Sequence, residues 1–267
     1  MLRSALNNHV IIVLLIAGLI EELTDIPWYI HYYRTGTALS LTSAFCYTWA
    51  YIGSNIYVLN FILMAWASIE RHILIFHSKW FATRWVCFAL HYLPIAICLI
   101  VPSLFYLFTY FILPCDTSFN YNGALCELYT CVLNHRWGLY FDGLINYLIP
   151  IWVTVIFSTA LFVRVIYQKY RVHQKIVWRN YKKLAGQLLL ISALYVSLQF
   201  PPMILYAAYS IGLPCEIGAD YYNNSMFFTY WIILFTPFTI IVSLPELKMK
   251  FRRLILFSRH RNSITPK

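Results

Sequence analysis

The chain has 267 residues, 61% hydrophobic and 11% charged, with a formal net charge of +10. Soluble domains carry about 25% charged residues, so an ordinary water-soluble fold is excluded. Lipid leaves backbone groups no water to bond, which restricts spanning segments to helices and closed barrels, and the apolar runs here are too long and too continuous for barrel strands.

The sequence predicts an all-α polytopic membrane protein with six transmembrane helices, at about 10–33, 41–70, 85–113, 138–168, 184–211 and 226–245. Each run is long enough to cross roughly 30 Å of hydrocarbon, and the longer ones imply tilt or protrusion into water. The first begins "MLRSALNNHVIIVLLIAGLI", basic and then apolar like a secretory signal. Its apolar character resumes after Glu21 and Glu22 and runs through Ile30, without a clear small-residue cleavage pair, so a retained helix is expected. The span 41–70 has Cys46 near one end and "ASIERHILIFH" at the other, placing Glu70, Arg71 and His72 at a membrane boundary. Cys87 and Cys98, within 85–113, read as ordinary buried thiols. The connection 114–137 offers Cys115, Cys126 and Cys131. Pro150 lies in the fourth span, Pro201 in "LQFPP" of the fifth and Pro237 in "TPFTI" of the sixth. Asn223-Asn224-Ser225 is a glycosylation sequon expected in the last outer loop. "LPELKMKFRRLI" (244–255) has the Lys/Arg spacing of an amphipathic helix lying on the membrane.

Of the 20 Lys and Arg, all but Arg34 and Arg136 fall on one side of this arrangement. The positive-inside rule makes that side cytoplasmic, with both termini inside if the first span is retained. Basic segments beside anionic lipid account for the charge without nucleic acid. The outer loops then hold Cys46, Cys115, Cys126, Cys131 and Cys215, where disulfides persist. With no linker, low-complexity tract or repeat, residues 1–257 read as one domain and 258–267 as a short basic cytoplasmic tail.

Cys46 precedes Arg71 by 25 residues, about 38 Å along a helix and the full depth of a membrane. A cysteine at the outer end and a Glu-Arg-His triplet at the inner end resemble the third helix of rhodopsin-like G-protein-coupled receptors. Pro150 resembles the proline of that family's fifth helix, "LQFPP" the sixth-helix kink, "TPFTI" a degenerate seventh-helix motif and 244–255 the helix that follows. The six spans would then be helices two to seven of a seven-helix bundle, and the absence of a first-helix equivalent is read as an incomplete chain, expected to assemble in receptor order while coupling poorly.

The resemblance implies a plasma-membrane receptor with no cofactor, whose partners are membrane lipids, an extracellular ligand and a heterotrimeric G protein. It implies a G-protein-facing switch at Glu70, Arg71 and His72, with Glu70 restraining Arg71 until the sixth-helix equivalent swings outward. It implies hinges at Pro150, Pro201 and Pro237, and a connector core at Phe61 and Tyr195. It also implies one disulfide from Cys46 to the loop 114–137, with Cys131 the first choice and Cys126 the second.

The implied ligand cavity is lined by Trp49, Gly53, Asn55, Asp142, Gln199 and Tyr230. Tyr230 stands where opsins carry the retinal lysine and Gly53 where amine receptors carry an aspartate, which disfavours light and amines and suits a peptide or a neutral polar molecule. Other departures are Ala17-Gly18-Leu19 near the usual sodium-binding aspartate, Gln199 for the tryptophan before the kink, Ser158 for a tyrosine, and Thr236 and Ile240 in the seventh-helix motif. Glu21, Glu22 and Asp25 lie somewhat beyond the first of these positions.

Enzymatic activity is not expected: the histidines have no metal-ligand spacing, and neither a nucleophile elbow nor a phosphate loop occurs. The stronger alternative is a six-helix transporter or channel subunit. Against it stand the lack of a filter sequence, of an arginine-striped helix and of an inverted repeat.

Overall fold

The computed structural model describes residues 2–76, 80, 83–113, 119–128, 136–171, 175–214 and 216–243, and these are mostly helical, with no strand among them. In chain order the helices are α1 (Leu2–Leu23), α2 (Asp25–Thr35), α3 (Ser43–Phe76) and α4 (Arg84–Ile112). There follow α5 (Arg136–Tyr140, Phe141–Leu148 and Ile149–Arg171 in one rod), α6 (Lys175–Ile211) and α7 (Ala219–Ser243). Three described segments are long and apolar enough to cross a membrane: Ser43–Leu74, Arg84–Ile112 and Arg136–Arg164. The described chain is therefore an all-helical membrane protein. The segment 244–255 and the tail 258–267 lie outside the described residues.

α3 is the axis. Its 34 residues make a rod of about 50 Å, and it packs against α1, α4, α5 and α6. α5 packs on α6, α6 on α7 and α7 on α1, which closes the ring. Polarity is arranged inside out: Glu21, Asp25, Asn60, Glu70, Arg71 and Asp142 are buried, while Ile100, Leu104, Ile156, Trp231, Phe235 and Phe238 are exposed. A surface this apolar cannot face water without aggregating, and a buried polar group needs a partner that only another helix supplies.

The first predicted span, 10–33, is divided. Pro27 has no N–H for the carbonyl of Leu23, and its ring crowds that carbonyl. The helix breaks at Thr24 (φ −118°, ψ −75°), where the threonine hydroxyl donates to the carbonyl of Ile20 at 2.6 Å. α2 then runs to a left-handed Gly36. Pro201 and Pro237 lie inside α6 and α7. Pro150 follows a π-helical stretch, Phe141–Leu148, whose wider turn shifts the hydrogen-bond register just ahead of the proline. The sequon at Asn223 falls within the first turns of α7, not in a loop, because the apolar face of α7 extends back to Tyr222 and recruits the preceding turn.

The disulfide joins Cys46 to Cys126, which corrects the first choice of Cys131, a residue outside the described ones. The amide of Ala38 donates to the carbonyl of Tyr121 at 2.8 Å, fixing the loop beside the entrance to α3. A turn at Ala124–Glu127 then brings Cys126 onto Cys46, with Cα atoms 5.6 Å apart. Replacing Cys126 with Ala is expected to cost about 2–4 kcal/mol of stability, whereas Cys131→Ala leaves the Cys46–Cys126 bond in place. Peptide mapping of unreduced protein and unfolding of both variants in micelles check this.

Candidate functional site

The break ahead of Pro27 turns Asp25 into the bundle, where it is 1% exposed. Its carboxylate lies over Gly53 of α3: a Cβ on Gly53 would stand 2.9 Å from Oδ1, so a larger residue there would crowd the acid. The Trp49 indole N–H donates to Oδ1 at 2.9 Å, and the Tyr230 hydroxyl donates to Oδ2 at 3.1 Å. One carboxylate thus ties α2, α3 and α7 together.

Beside Asp25 opens a cavity of about 160 Å³. α2 contributes Asp25 and Tyr29, and α3 contributes Gly53 and Ser54 and, one turn on, Tyr57. α5 supplies Tyr147, and α6 supplies Met203 and Tyr206. α7 supplies Tyr222, Met226 and Tyr230, four residues apart each time and so stacked on one face. The tyrosines form an unbroken series. Ring centroids are 5.6 Å apart for Tyr29–Tyr230, 6.5 Å for Tyr230–Tyr57 and 6.1 Å for Tyr57–Tyr147. The series continues at 5.3 Å for Tyr147–Tyr206 and 6.5 Å for Tyr206–Tyr222.

Leu125 completes the lining from above. It begins a run of three left-handed residues, Leu125, Cys126 and Glu127, with φ of 53°, 53° and 60°. Each non-glycine residue there costs roughly 1–2 kcal/mol. The disulfide and the bond from Asn120 Nδ2 to Glu127 Oε1 at 2.8 Å hold the turn in that shape.

Of the expected cavity residues, Gly53 and Tyr230 line it and four do not. Trp49 is wholly buried behind Asp25. Asn55 sits on another face of α3 and exchanges hydrogen bonds with Ser103 of α4, at 3.2 and 3.3 Å. Asp142 is behind the tyrosines, accepting from Tyr106 at 2.5 Å, Tyr206 at 2.9 Å and Asn146 at 3.0 Å. Gln199 belongs to a smaller void of about 10 Å³ that Phe61 and Tyr195, the expected connector residues, also line. Asp25 was visible as one of three neighbouring acids; the missed signal was Pro27, which aims it. The stride of four in Tyr222, Met226 and Tyr230 was equally readable.

At the other end of α3, Glu70 is hydrogen-bonded to His91 of α4, and both are buried. His91 Nε2 also lies 3.0 Å from Nδ1 of His9 on α1, so a partly buried chain links three helices. Glu70 therefore engages α4, where the sequence suggested a restraint on Arg71 alone. The reason is helix geometry: adjacent residues project about 100° apart, and Glu70 faces α4. Arg71 is 2% exposed. His72 packs on Phe76 and Phe157, with centroids at 4.9 and 5.7 Å.

The chain matches no protein-family model, and no curated protein matches it. His91→Ala removes the partner of a buried carboxylate and is expected to cost about 3 kcal/mol or more. Thermal unfolding of the variant in micelles measures this.

Proposed function

We propose that the chain is a receptor of the G-protein-coupled, rhodopsin-like kind. It takes an extracellular ligand into the tyrosine-lined cavity and activates a heterotrimeric G protein when α6 moves outward. All six predicted spans cross the plasma membrane on this reading, with the basic loops in the cytoplasm. The observation that carries it is the division of labour along α3. One end is bonded to Cys126 over a cavity, and the other, about 38 Å away, holds a buried Arg71. Such a rod can report occupancy at one face of a membrane to the other.

Supporting the motion, α6 and α7 carry prolines inside their helices, and α5 carries Pro150 next to its π-helical stretch. These sites bend without breaking a complete ladder of hydrogen bonds. Outward movement of α6 would uncover Arg71 for a G protein. The inside-out burial of charge supports the same reading, because ionisable groups held inside a membrane bundle mark function more often than packing.

Nucleotide exchange by purified G-protein α subunits, with the full chain reconstituted in lipid, tests the proposal. Exchange above the empty-membrane rate is expected. Arg71→Ala should lower it at least about tenfold, the equivalent of one lost charge-assisted hydrogen bond. No exchange with any α-subunit class, together with solute flux in proteoliposomes, would replace the receptor by a transporter.

A further inference from the structure

The cavity has a chemical bias that the sequence did not disclose. Among the described residues, its lining contains one charged residue, Asp25, and no Lys, Arg or His. Asp25 accepts one hydrogen bond on each oxygen, and a carboxylate has about four acceptor sites, so capacity remains. Among the described residues, the other charged groups buried in this half of the bundle, Glu21 and Asp142, are also acids. Asn60 donates to Oε2 of Glu21 at 2.9 Å, and Oε1 of Glu21 has no hydrogen-bond partner among the described residues. The buried bases Arg71 and His91 belong to the opposite end.

The walls have the same sense. An aromatic ring is negative on its face and attracts a cation placed within about 6 Å of its centroid. Six tyrosines line the cavity. Three of their hydroxyls are committed outside it or to its acid: Tyr57 donates to Thr229, Tyr206 to Asp142 and Tyr230 to Asp25. Those rings therefore present π-surface more than hydroxyl to the space they enclose. Met203 and Met226 add polarisable, uncharged surface. A neutral polar ligand would find few unengaged donors, and an anion would meet Asp25.

We propose that the cavity binds a small organic cation, an alkylammonium or quaternary ammonium group, with Asp25 as counter-ion and the tyrosine series as its cage. The position of Gly53 had argued against amines; the carboxylate missing from α3 is supplied by α2 instead. The inference rests on the receptor reading for the consequence of binding, not for binding itself.

The test uses the full chain purified in maltoside micelles, which carry no ammonium group. The probes are tetramethylammonium, choline and phenylethylammonium, with 3,3-dimethyl-1-butanol as the uncharged analogue of choline. The readouts are ligand-dependent unfolding temperature and equilibrium dialysis. At least one cation is expected to bind and stabilise, and the alcohol to bind at least about tenfold more weakly than its charged counterpart. Asp25→Asn keeps an acceptor for Trp49 and an amide that Tyr230 can accept from, so it should fold while losing the preference for charge. Gly53→Ala, which crowds the same carboxylate, should weaken the cation and spare the alcohol. Tyr222→Leu should weaken the cation several-fold. Binding of none of the three cations, equal binding of the alcohol, or an unchanged preference in folded Asp25→Asn would overturn the proposal. Cation binding without nucleotide exchange would remove the receptor reading and leave this one standing.

Discussion

Hydrocarbon cannot solvate a carboxylate, and the arrangement of this bundle follows from where its acids can go. An isolated charge facing lipid costs several kcal/mol, so Glu21, Asp25, Glu70 and Asp142 all turn inward. Each then recruits donors from neighbouring helices. Asp25 takes Trp49 and Tyr230, Asp142 takes Tyr106 and Tyr206, Glu21 takes Asn60, and Glu70 takes His91. These pairs connect α1, α2, α3, α4, α5, α6 and α7 at defined depths. Apolar packing holds the helices near one another, but lipid tails are as apolar as leucine and give no preferred rotation. The polar pairs supply that choice.

Because α3 lies at the centre, its successive faces are assigned by those partners. Trp49 and Gly53 face α2, Ser54 reaches Tyr110 of α4 at 2.8 Å, Tyr57 reaches Thr229 of α7 at 3.1 Å, and Asn60 faces α1. Near the far end Ser68 approaches Ser158 of α5 at 3.5 Å, and Ser158 donates to Ser192 of α6 at 2.9 Å. Ser158, a departure from the receptor pattern, thus bridges α5 and α6 in this chain. A shift of α6 must exchange that contact, which couples its position to α3 without a larger aromatic switch.

The helical class and the polarity of the chain were legible in composition alone, since eleven per cent charge admits few alternatives. The rod from Cys46 to Arg71 was legible because nothing interrupts it. The division at Thr24 was not anticipated: the apolar pattern continues through Leu23 to Ile30, and hydropathy is blind to the hydrogen bond that Pro27 removes. Cys126 could not be separated from Cys131 by spacing, because the turn that delivers it depends on Tyr121 pairing with Ala38. Trp49, Asn55, Asp142 and Gln199 were placed in the cavity as polar residues at suitable depth. Depth follows from residue number, but the direction a side chain takes follows from which neighbour offers a donor, and that is a property of the assembled bundle.

The region beneath the cavity shows where such a bundle yields most easily. Gln199 is 4% exposed, and its Oε1 has no hydrogen-bond partner among the described residues. It borders the void of about 10 Å³ beside Phe61 and Tyr195. Two residues on, Pro201 removes the backbone donor that would bond to Ser197, and Pro202 removes the next. A buried unsatisfied acceptor costs about 1–3 kcal/mol, and a void forfeits contacts on one side. Among its described residues, α6 is therefore loosely secured at the level of Tyr195 and Gln199, close to Met203 and Tyr206 in the cavity wall. On the proposed reading, a ligand that displaces either of those side chains acts on the helix close to that level. On the proposed reading, the two prolines that deprive α6 of hydrogen bonds give it a place to bend beside the cavity.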